Sequence, residues 1–327
     1  MTNRILIIGV TGGAGHAVSK AALDAGFQVR ALHRNPGKLE VDSRIEVVQG
    51  DAMNAIDVRR AAEGVDFVFH AANPPGYRDW DRTVEPMAVN AAEAAKAVDA
   101  RMIMPGNIYN FGPDVFPRVE EGAPQHPVSR KGEVRVRVEA ALKATGARVT
   151  ILRAGDFFGG YAPASWFQTV MIKPGKKLRK VTWPGTEAGH AFAYLPDFAA
   201  TVIRLFEGEA RMERFEDLHF GGHHMHRGRE FPERIAEAAG LKPTAVRPFP
   251  WAVVGLARPF VPLFREIWEM RYLWQQEVQL DNRRLLLRIG EEPRTPLAEA
   301  LRTSLVEQGC VSETATWTGG HATLFSG

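Results

Sequence analysis

The sequence predicts a doubly wound parallel α/β sheet with a smaller mixed α/β lobe drawn from the second half of the chain. Three observations carry this expectation. A strand-length apolar run, Arg4-Ile5-Leu6-Ile7-Ile8, breaks into the cluster Gly9-Val10-Thr11-Gly12-Gly13-Ala14-Gly15-His16. Apolar residues at helical spacing follow over residues 17–25. Short apolar runs then alternate with longer helical patterns through the first half. That order demands crossover connections, and so a parallel sheet with helices on both faces.

Taken in order, the strands are expected at residues 4–9, 28–32, 45–48, 66–70, 102–104 and 149–152. The helices between them are expected at residues 17–25, 55–63, 81–100 and 131–145. Sheets of this kind bind ligands beyond the C-terminal ends of their strands, which selects the loops to read for function. A nucleotide-binding domain is expected over residues 1–160, with some later segments returning to it, and a substrate lobe mostly over 161–310. The polar, glycine-containing stretch 311–327 reads as a loosely ordered tail.

Bulk properties narrow the function classes. The 327 residues are 45% hydrophobic and 24% charged, as in a soluble globular protein. Forty-one Lys and Arg against 38 Asp and Glu leave +3, too small a surplus to imply a nucleic-acid or membrane partner. Cys310 is the one cysteine, which excludes an internal disulfide framework and a cysteine-cluster metal site. No apolar run approaches the roughly 20 residues that span a bilayer. The first core strand begins at Arg4, so no signal peptide is expected and the default location is cytoplasmic.

The glycine cluster carries the first chemistry. Glycines let the backbone turn sharply and let a phosphate approach main-chain N–H groups. The following helix adds the positive end of its dipole. Gly9, Thr11, Gly12, Gly13, Ala14, Gly15 and His16 are therefore expected to hold a pyrophosphate. After the second strand an NAD-preferring site carries a carboxylate for the ribose hydroxyls. This chain has His33 and Arg34 there, with Lys38 close behind. Cationic donors suit a 2′-phosphate, so NADP(H) is expected over NAD(H) as cofactor. Gln49-Gly50-Asp51-Ala52 ends the third strand, and Asp51 can accept from an adenine amino group. His70-Ala71-Ala72-Asn73 ends the fourth, where Ala71 and Ala72 let the backbone pass close to a dinucleotide.

These segments, with Val65-Asp66-Phe67-Val68-Phe69 and Val89-Asn90, fall in an order that resembles the short-chain dehydrogenase/reductase superfamily. The arrangement is similar to its extended, NAD-dependent epimerase/dehydratase-like form. Leu152-Arg153-Ala154-Gly155-Asp156-Phe157-Phe158-Gly159 and Ala193-Tyr194-Leu195-Pro196-Asp197 resemble later parts of the same family. The likeness is strongest before residue 200 and thins afterwards. It implies a Rossmann-type fold, with pyrophosphate on the glycine loop, Asp51 and Ala52 at the adenine, and Ala71, Ala72, Asn73 and Asn90 along the cofactor. It places Ala154, Gly155 and Phe157 near the nicotinamide and suggests a homodimer paired through two helices. The extended pattern would put a third glycine at Val18; the triplet Gly9, Gly12 and Gly15 instead resembles the atypical branch.

A second departure concerns catalysis. The family uses a tyrosine four residues before a lysine, helped by a serine or threonine; the lysine lowers the tyrosine pKa for proton exchange. Here Tyr77, Tyr109, Tyr161, Tyr194 and Tyr272 are followed four residues later by Asp81, Pro113, Ser165, Phe198 and Gln276. The pair is absent. Counting back from Glu139 puts Lys131 at the tyrosine position and Arg135 at the lysine position, and Asn107 falls where the hydroxyl is expected. Similar substitutions occur in isoflavone-reductase-like proteins, where lysine transfers the proton, and in cofactor-binding regulators without turnover. In the catalytic reading Lys131 has a depressed pKa, lowered by burial and by Arg130 and Arg135, while Tyr109 and Asn107 hydrogen-bond the reacting oxygen. In the regulatory reading Lys131 only anchors ribose or phosphate, and the blandest reading makes it a solvated residue at a helix start.

The second half is less regular. Residues 164–172 look helical and aromatic, and the basic stretch 173–180 reads as a solvated loop or as a segment that, as in nucleotide-sugar enzymes, meets a substrate diphosphate. His219, His223, His224 and His226 sit in what reads as a strand-end turn without fixed ligand spacing, and no metal site is expected. Helices are expected at 227–239 and 293–307, and residues 251–274 carry prolines and large apolar groups that pack the lobe or wall an apolar pocket. The expected function is an NADP(H)-dependent oxidoreductase for a small apolar carbonyl or alcohol. A non-catalytic NADP(H)-binding regulator and a nucleotide-sugar epimerase or dehydratase are the alternatives.

Overall fold

The computed structural model describes residues 3–74 and 79–312, so Tyr77 and the tail from residue 313 lie outside it. The first half runs β1 (Arg4–Ile8), α1 (Gly13–Asp24), β2 (Gln28–His33), β3 (Glu46–Gln49), α2 (Ala55–Ala62), β4 (Phe67–His70), α3 (Trp80–Ala97), β5 (Arg101–Gly106), β6 (Arg118–Val119), α4 (Arg130–Ala144) and β7 (Arg148–Arg153). The second half continues with β8 (Asp156–Phe158), β9 (Val181–Trp183), β10 (His190–Tyr194), α5 (Leu195–Glu207), β11 (Phe215–His219), β12 (His223–Met225), α6 (Glu230–Ala238) and β13 (Val246–Pro248). It ends with α7 (Trp251–Ala257), α8 (Pro262–Glu269), β14 (Gln279–Leu280), α9 (Arg283–Ile289) and α10 (Leu297–Glu307).

Among the described residues the main sheet has seven strands in the order β3-β2-β1-β4-β5-β7-β11. Every neighbouring pair is parallel. Ile8, at the end of β1, lies beside Leu32 of β2 on one side and His70 of β4 on the other. The connection from β1 runs to β2 on one side and the return from β3 enters β4 on the other, and this reversal of strand order opens the crevice where such sheets take ligands. One core cluster packs around α2, α3 and α4 and contains Leu6, Val68, Ala91 and Val138. The other packs α1 and α5 on the opposite face and contains Ile7, Val18, Phe69 and Val202. Alternate residues of β1 thus serve opposite faces, which is why the strand reads as a continuous apolar run.

The small lobe has its own core, in which Phe158, Phe192 and Phe231 meet Trp183, Trp274 and α10. A three-stranded sheet β12-β10-β8 frames it. Two expectations from the sequence change here. Residues 164–172 form a single π-helical turn, Phe167–Met171, rather than a longer helix. His223 and His224 lie in β12, not in a turn, because this stretch pairs antiparallel with His190–Phe192 of β10.

Three buried imidazoles make the fold acid-sensitive. Burial takes His70 and His219 from the ordinary 6.5 down to about 3, and His223 down to about 4. Unfolded chains bind these protons as pH falls below 6.5, whereas the folded protein refuses them until near pH 3. Stability is therefore full above pH 6.5 and is lost as pH falls through that window. Between pH 7 and pH 5 each of the two deepest histidines should cost about 2 kcal/mol. Urea unfolding at the two pH values checks this; His219→Gln should remove a comparable share of the pH dependence.

Candidate cofactor site and active site

The crevice begins at Gly9, whose φ of +101° suits glycine. A Cβ there would lie 2.6 Å from the Ala72 nitrogen, so the β1 turn and the chain after β4 can meet only without a side chain. Gly15 is just as constrained, since its Cβ would lie 2.1 Å from the Gly9 carbonyl oxygen. In the structure α1 starts at Gly13, inside the loop, rather than at Ala17 where apolar spacing begins. Gly12 donates its N–H to Gly9 (3.0 Å) and serves as N-cap with no side-chain hydrogen bond. The first turn of α1, with Gly13 and Ala14, is thus a site of the kind that receives a phosphate. Thr11 is exposed beside it, and His16 meets Tyr161 edge-on at 5.9 Å.

Beyond β2 and β3 lies an open groove of about 730 Å3 lined by Arg34, Val48, Gln49, Gly50, Asp51, Asp57 and Arg60. Of the three cations expected here only Arg34 lines the groove. His33 turns its Nδ1 back to accept from the Asn35 N–H (3.2 Å), and Lys38 sits in the exposed turn Pro36–Lys38. Arg60 takes their place. Its guanidinium bonds the Gln49 carbonyl (2.9 Å) and Asp57 (3.0 Å), and Asp57 accepts from the Asp51 N–H (3.0 Å). Asp51 itself accepts from Met53 N–H (2.9 Å). Sequence reasoning missed Asp57 and Arg60; their three-residue spacing at the start of α2 was the available signal.

Several expected cofactor residues shape the crevice through their own bonds. The Asn90 amide donates to the Ala52 carbonyl (3.0 Å), tying α3 to the loop after β3. Asn73 accepts from the Trp80 indole (2.5 Å), and Ala71 N–H donates to Ile8 (2.8 Å). After β7, Ala154 is buried and Gly155 lies against Ala191, whose carbonyl oxygen a Cβ would meet at 2.2 Å. Phe157 packs edge-on against Phe198 at 5.1 Å. Between them Asp156 holds the His190 imidazole at 2.6 Å, and that ring stacks on Trp274 at 4.2 Å. Asp156 lies within the stretch that the resemblance set near the nicotinamide, but its partner His190 was not selected from sequence.

The residues expected to replace the tyrosine–lysine pair are brought together at the N-terminus of α4. Ser129 caps the helix by accepting from Gly132 N–H (3.0 Å). Gly132 lets this first turn press on the loop after β5, since a Cβ would lie 2.0 Å from the Tyr109 carbonyl oxygen. Lys131 is only 7% exposed, with its ammonium 3.2 Å from Glu266 on α8. Burial lowers its pKa, opposed by Glu266 and Glu269. The neighbouring arginines are not what lowers it, as the sequence suggested. Arg130 is held by Asp81 (2.7 Å), and Arg135 lies over the Trp80 ring at 5.1 Å with a hydrogen bond to Tyr109. Burial pushes the Tyr109 phenol up, against the pull of Arg135. Asn107 presents its carbonyl to Arg153 (2.5 Å), a buried guanidinium that also bonds Glu139 and Asp217. Glu266 was invisible in the sequence because α8 delivers it from a distant segment.

Among known proteins, a reductase of Streptomyces griseus, acting on (4-alkanoyl-5-oxo-2,5-dihydrofuran-3-yl)methyl phosphate, is 41% identical over 95 residues, 29% of this chain and 31% of that protein. The 3β-hydroxysteroid dehydrogenase/Δ5→4-isomerase of Mycobacterium tuberculosis is 36% identical over 69 residues, 21% of this chain and 19% of its own. The chain thus aligns with only a third or less of the length of these relatives. In three dimensions it is similar to UDP-N-acetylglucosamine 4-epimerase from Bacillus cereus, with TM-score 0.70, 15% identity and coverage of 94% of this chain and 100% of that one. That likeness is one of fold, and it is the fold of the extended epimerase/dehydratase structures. Among the described residues no helix is long and apolar enough to cross a membrane. The family model described as NAD(P)H-binding matches residues 9–172, half of the sequence and the whole of the crevice from Gly9 to Phe157, and the chain belongs to that family.

Proposed function

We propose that this protein is an NADP(H)-dependent oxidoreductase that interconverts a small apolar carbonyl compound and its alcohol. The observation that carries this reading is Lys131, a buried lysine with a lowered pKa at the position where related folds place their proton-transfer group. Gly9 and Gly15 close the β1 turn onto the chain after β4 and onto α1 with no room for a side chain, and the first turn of α1 offers main-chain N–H groups, which fits a pyrophosphate. Arg34 and Arg60 offer guanidinium donors at the groove beyond β2 and β3, which suits a ribose 2′-phosphate. With the dinucleotide held this way, its nicotinamide end near Ala154 and Phe157 would supply or accept the hydride.

Lys131 donates the proton to the substrate oxygen during reduction and, in neutral form, removes it from the alcohol during oxidation. A lowered pKa brings the neutral amine closer to working pH, the condition for two-way transfer. Tyr109, raised by burial, remains a phenol that can donate a hydrogen bond while Arg135 fixes its orientation. Asn107 offers an amide to the same oxygen. The tryptophans Trp166, Trp183 and Trp274 pack the core of the small lobe beside this end of the crevice, with Trp166 5.2 Å and Trp183 5.3 Å from Trp274. The steroid dehydrogenase relative favours an apolar substrate.

Incubation with NADPH and a panel of aldehydes, ketones and enones tests the proposal; oxidation of NADPH with at least one apolar member is expected. The Lys131–Glu266 ion pair favours a second reading, a nucleotide sensor, and tight NADPH binding with no turnover across the panel would select it. Arg34→Ala should weaken NADPH about 10–100-fold, the worth of a charge-assisted hydrogen bond, and leave NADH nearly unchanged. Parallel fluorescence titrations with the two nucleotides measure this.

A further inference from the structure

β12 ends in a feature the cofactor crevice does not use. His224 lies in the edge strand β12 and His226 just past its end, and their rings meet at 4.7 Å. Glu277, which follows the turn Met270–Trp274, arrives beside them. One ligand atom from each of the three residues lies within 4.8 Å of the other two. His224 leaves only 10% of its side chain exposed, and neither of its ring nitrogens has a hydrogen-bond partner.

The spacing is informative. His224 Nε2 and Glu277 Oε1 are 3.6 Å apart, too long for a hydrogen bond. Two ligands on a tetrahedral ion with bonds of about 2.1 Å stand about 3.4 Å apart. The two imidazole rings are 4.7 Å apart and nearly perpendicular. Gly189 makes the approach of Glu277 feasible: a Cβ there would lie 3.0 Å from the Glu277 Cγ. The Val278 N–H donates to the Gly189 carbonyl (3.1 Å) and fixes the segment in place.

We propose that His224, His226 and Glu277 bind a single divalent transition-metal ion of the zinc type, with solvent completing its coordination. Two imidazoles and a carboxylate select borderline ions over magnesium or calcium. The ion staples the edge strand β12 to the segment that carries Trp274. It therefore braces the ring stacked on His190 in the core of the small lobe. This site lies outside the nucleotide crevice and does not depend on the proposed reaction.

The test uses the full-length chain stripped with a chelator and titrated with ZnCl2 by calorimetry, with CoCl2 absorption as a second readout. One ion per chain is expected, with visible Co2+ bands of low-symmetry coordination and a rise in Tm on zinc addition. His226→Ala, an exposed position that leaves the core intact, and Glu277→Gln should each weaken zinc at least 10–100-fold. Their circular dichroism and metal-free Tm should match those of the parent. Failure of the parent chain to bind zinc stoichiometrically overturns the proposal. So does undiminished binding by both variants, which would locate the ion on other histidines.

Discussion

Lys131→Ala lowers kcat by about 10²–10⁴-fold, the range for loss of a positioned acid–base group, while NADPH affinity stays within a few fold. Lys131→Met gives the same result with the buried volume retained, which separates loss of the amine from loss of packing. The pH profile supplies a sharper test. In the direction of alcohol oxidation the neutral amine is the active form, so the rate climbs with pH as Lys131 loses its proton. Glu266 lies 3.2 Å from the amine and pulls its pKa upward against burial. Glu266→Gln removes that pull, and the rising limb moves to lower pH. Unchanged turnover in Lys131→Ala, or a limb that stays where it was in Glu266→Gln, contradicts the role given to this lysine.

The largest stability effect belongs to Arg153. Its side chain is fully buried at the end of β7 and bonds Glu139 (3.0 Å), Asp217 (2.9 Å) and the Asn107 carbonyl (2.5 Å). Burial works against its charge, and the carboxylates of Asp217 and Glu139 more than restore it. Arg153→Met strands both carboxylates in a poorly solvated place and costs about 3–5 kcal/mol. The triple variant Arg153→Met, Glu139→Gln, Asp217→Asn removes all three charges and should be clearly more stable than the single one, because the penalty comes from unpaired charge rather than from lost attraction. Denaturant unfolding measures both. A single variant as stable as the parent would show that the network is solvated.

The framework of the nucleotide domain was legible because local pattern and tertiary role agree there. The buried run at β1 must satisfy two core faces, and the spacing of Gly9, Gly12 and Gly15 follows from how closely α1 approaches β1. Neither requirement needs a distant partner. What stayed hidden was delivered by long connections. Glu266 reaches Lys131, Asp156 meets His190, and Glu277 joins His224 and His226 only after packing of the small lobe. Of the cations expected in the turn after β2 only Arg34 lines the groove, because the His33 Nδ1 accepts from the Asn35 N–H and Arg60 reaches in from α2. Burial of Lys131 followed the expectation, but the source of its lowered pKa did not, since the flanking arginines are engaged elsewhere by Asp81 and Tyr109.

Calorimetric titration of the full-length protein with NADPH and, separately, with NADH bears most directly on the central claim that the crevice above Gly9 holds a phosphorylated dinucleotide. One NADPH per chain, bound more tightly than NADH, is the predicted result. Absence of binding by both nucleotides, or tighter binding of NADH, contradicts it.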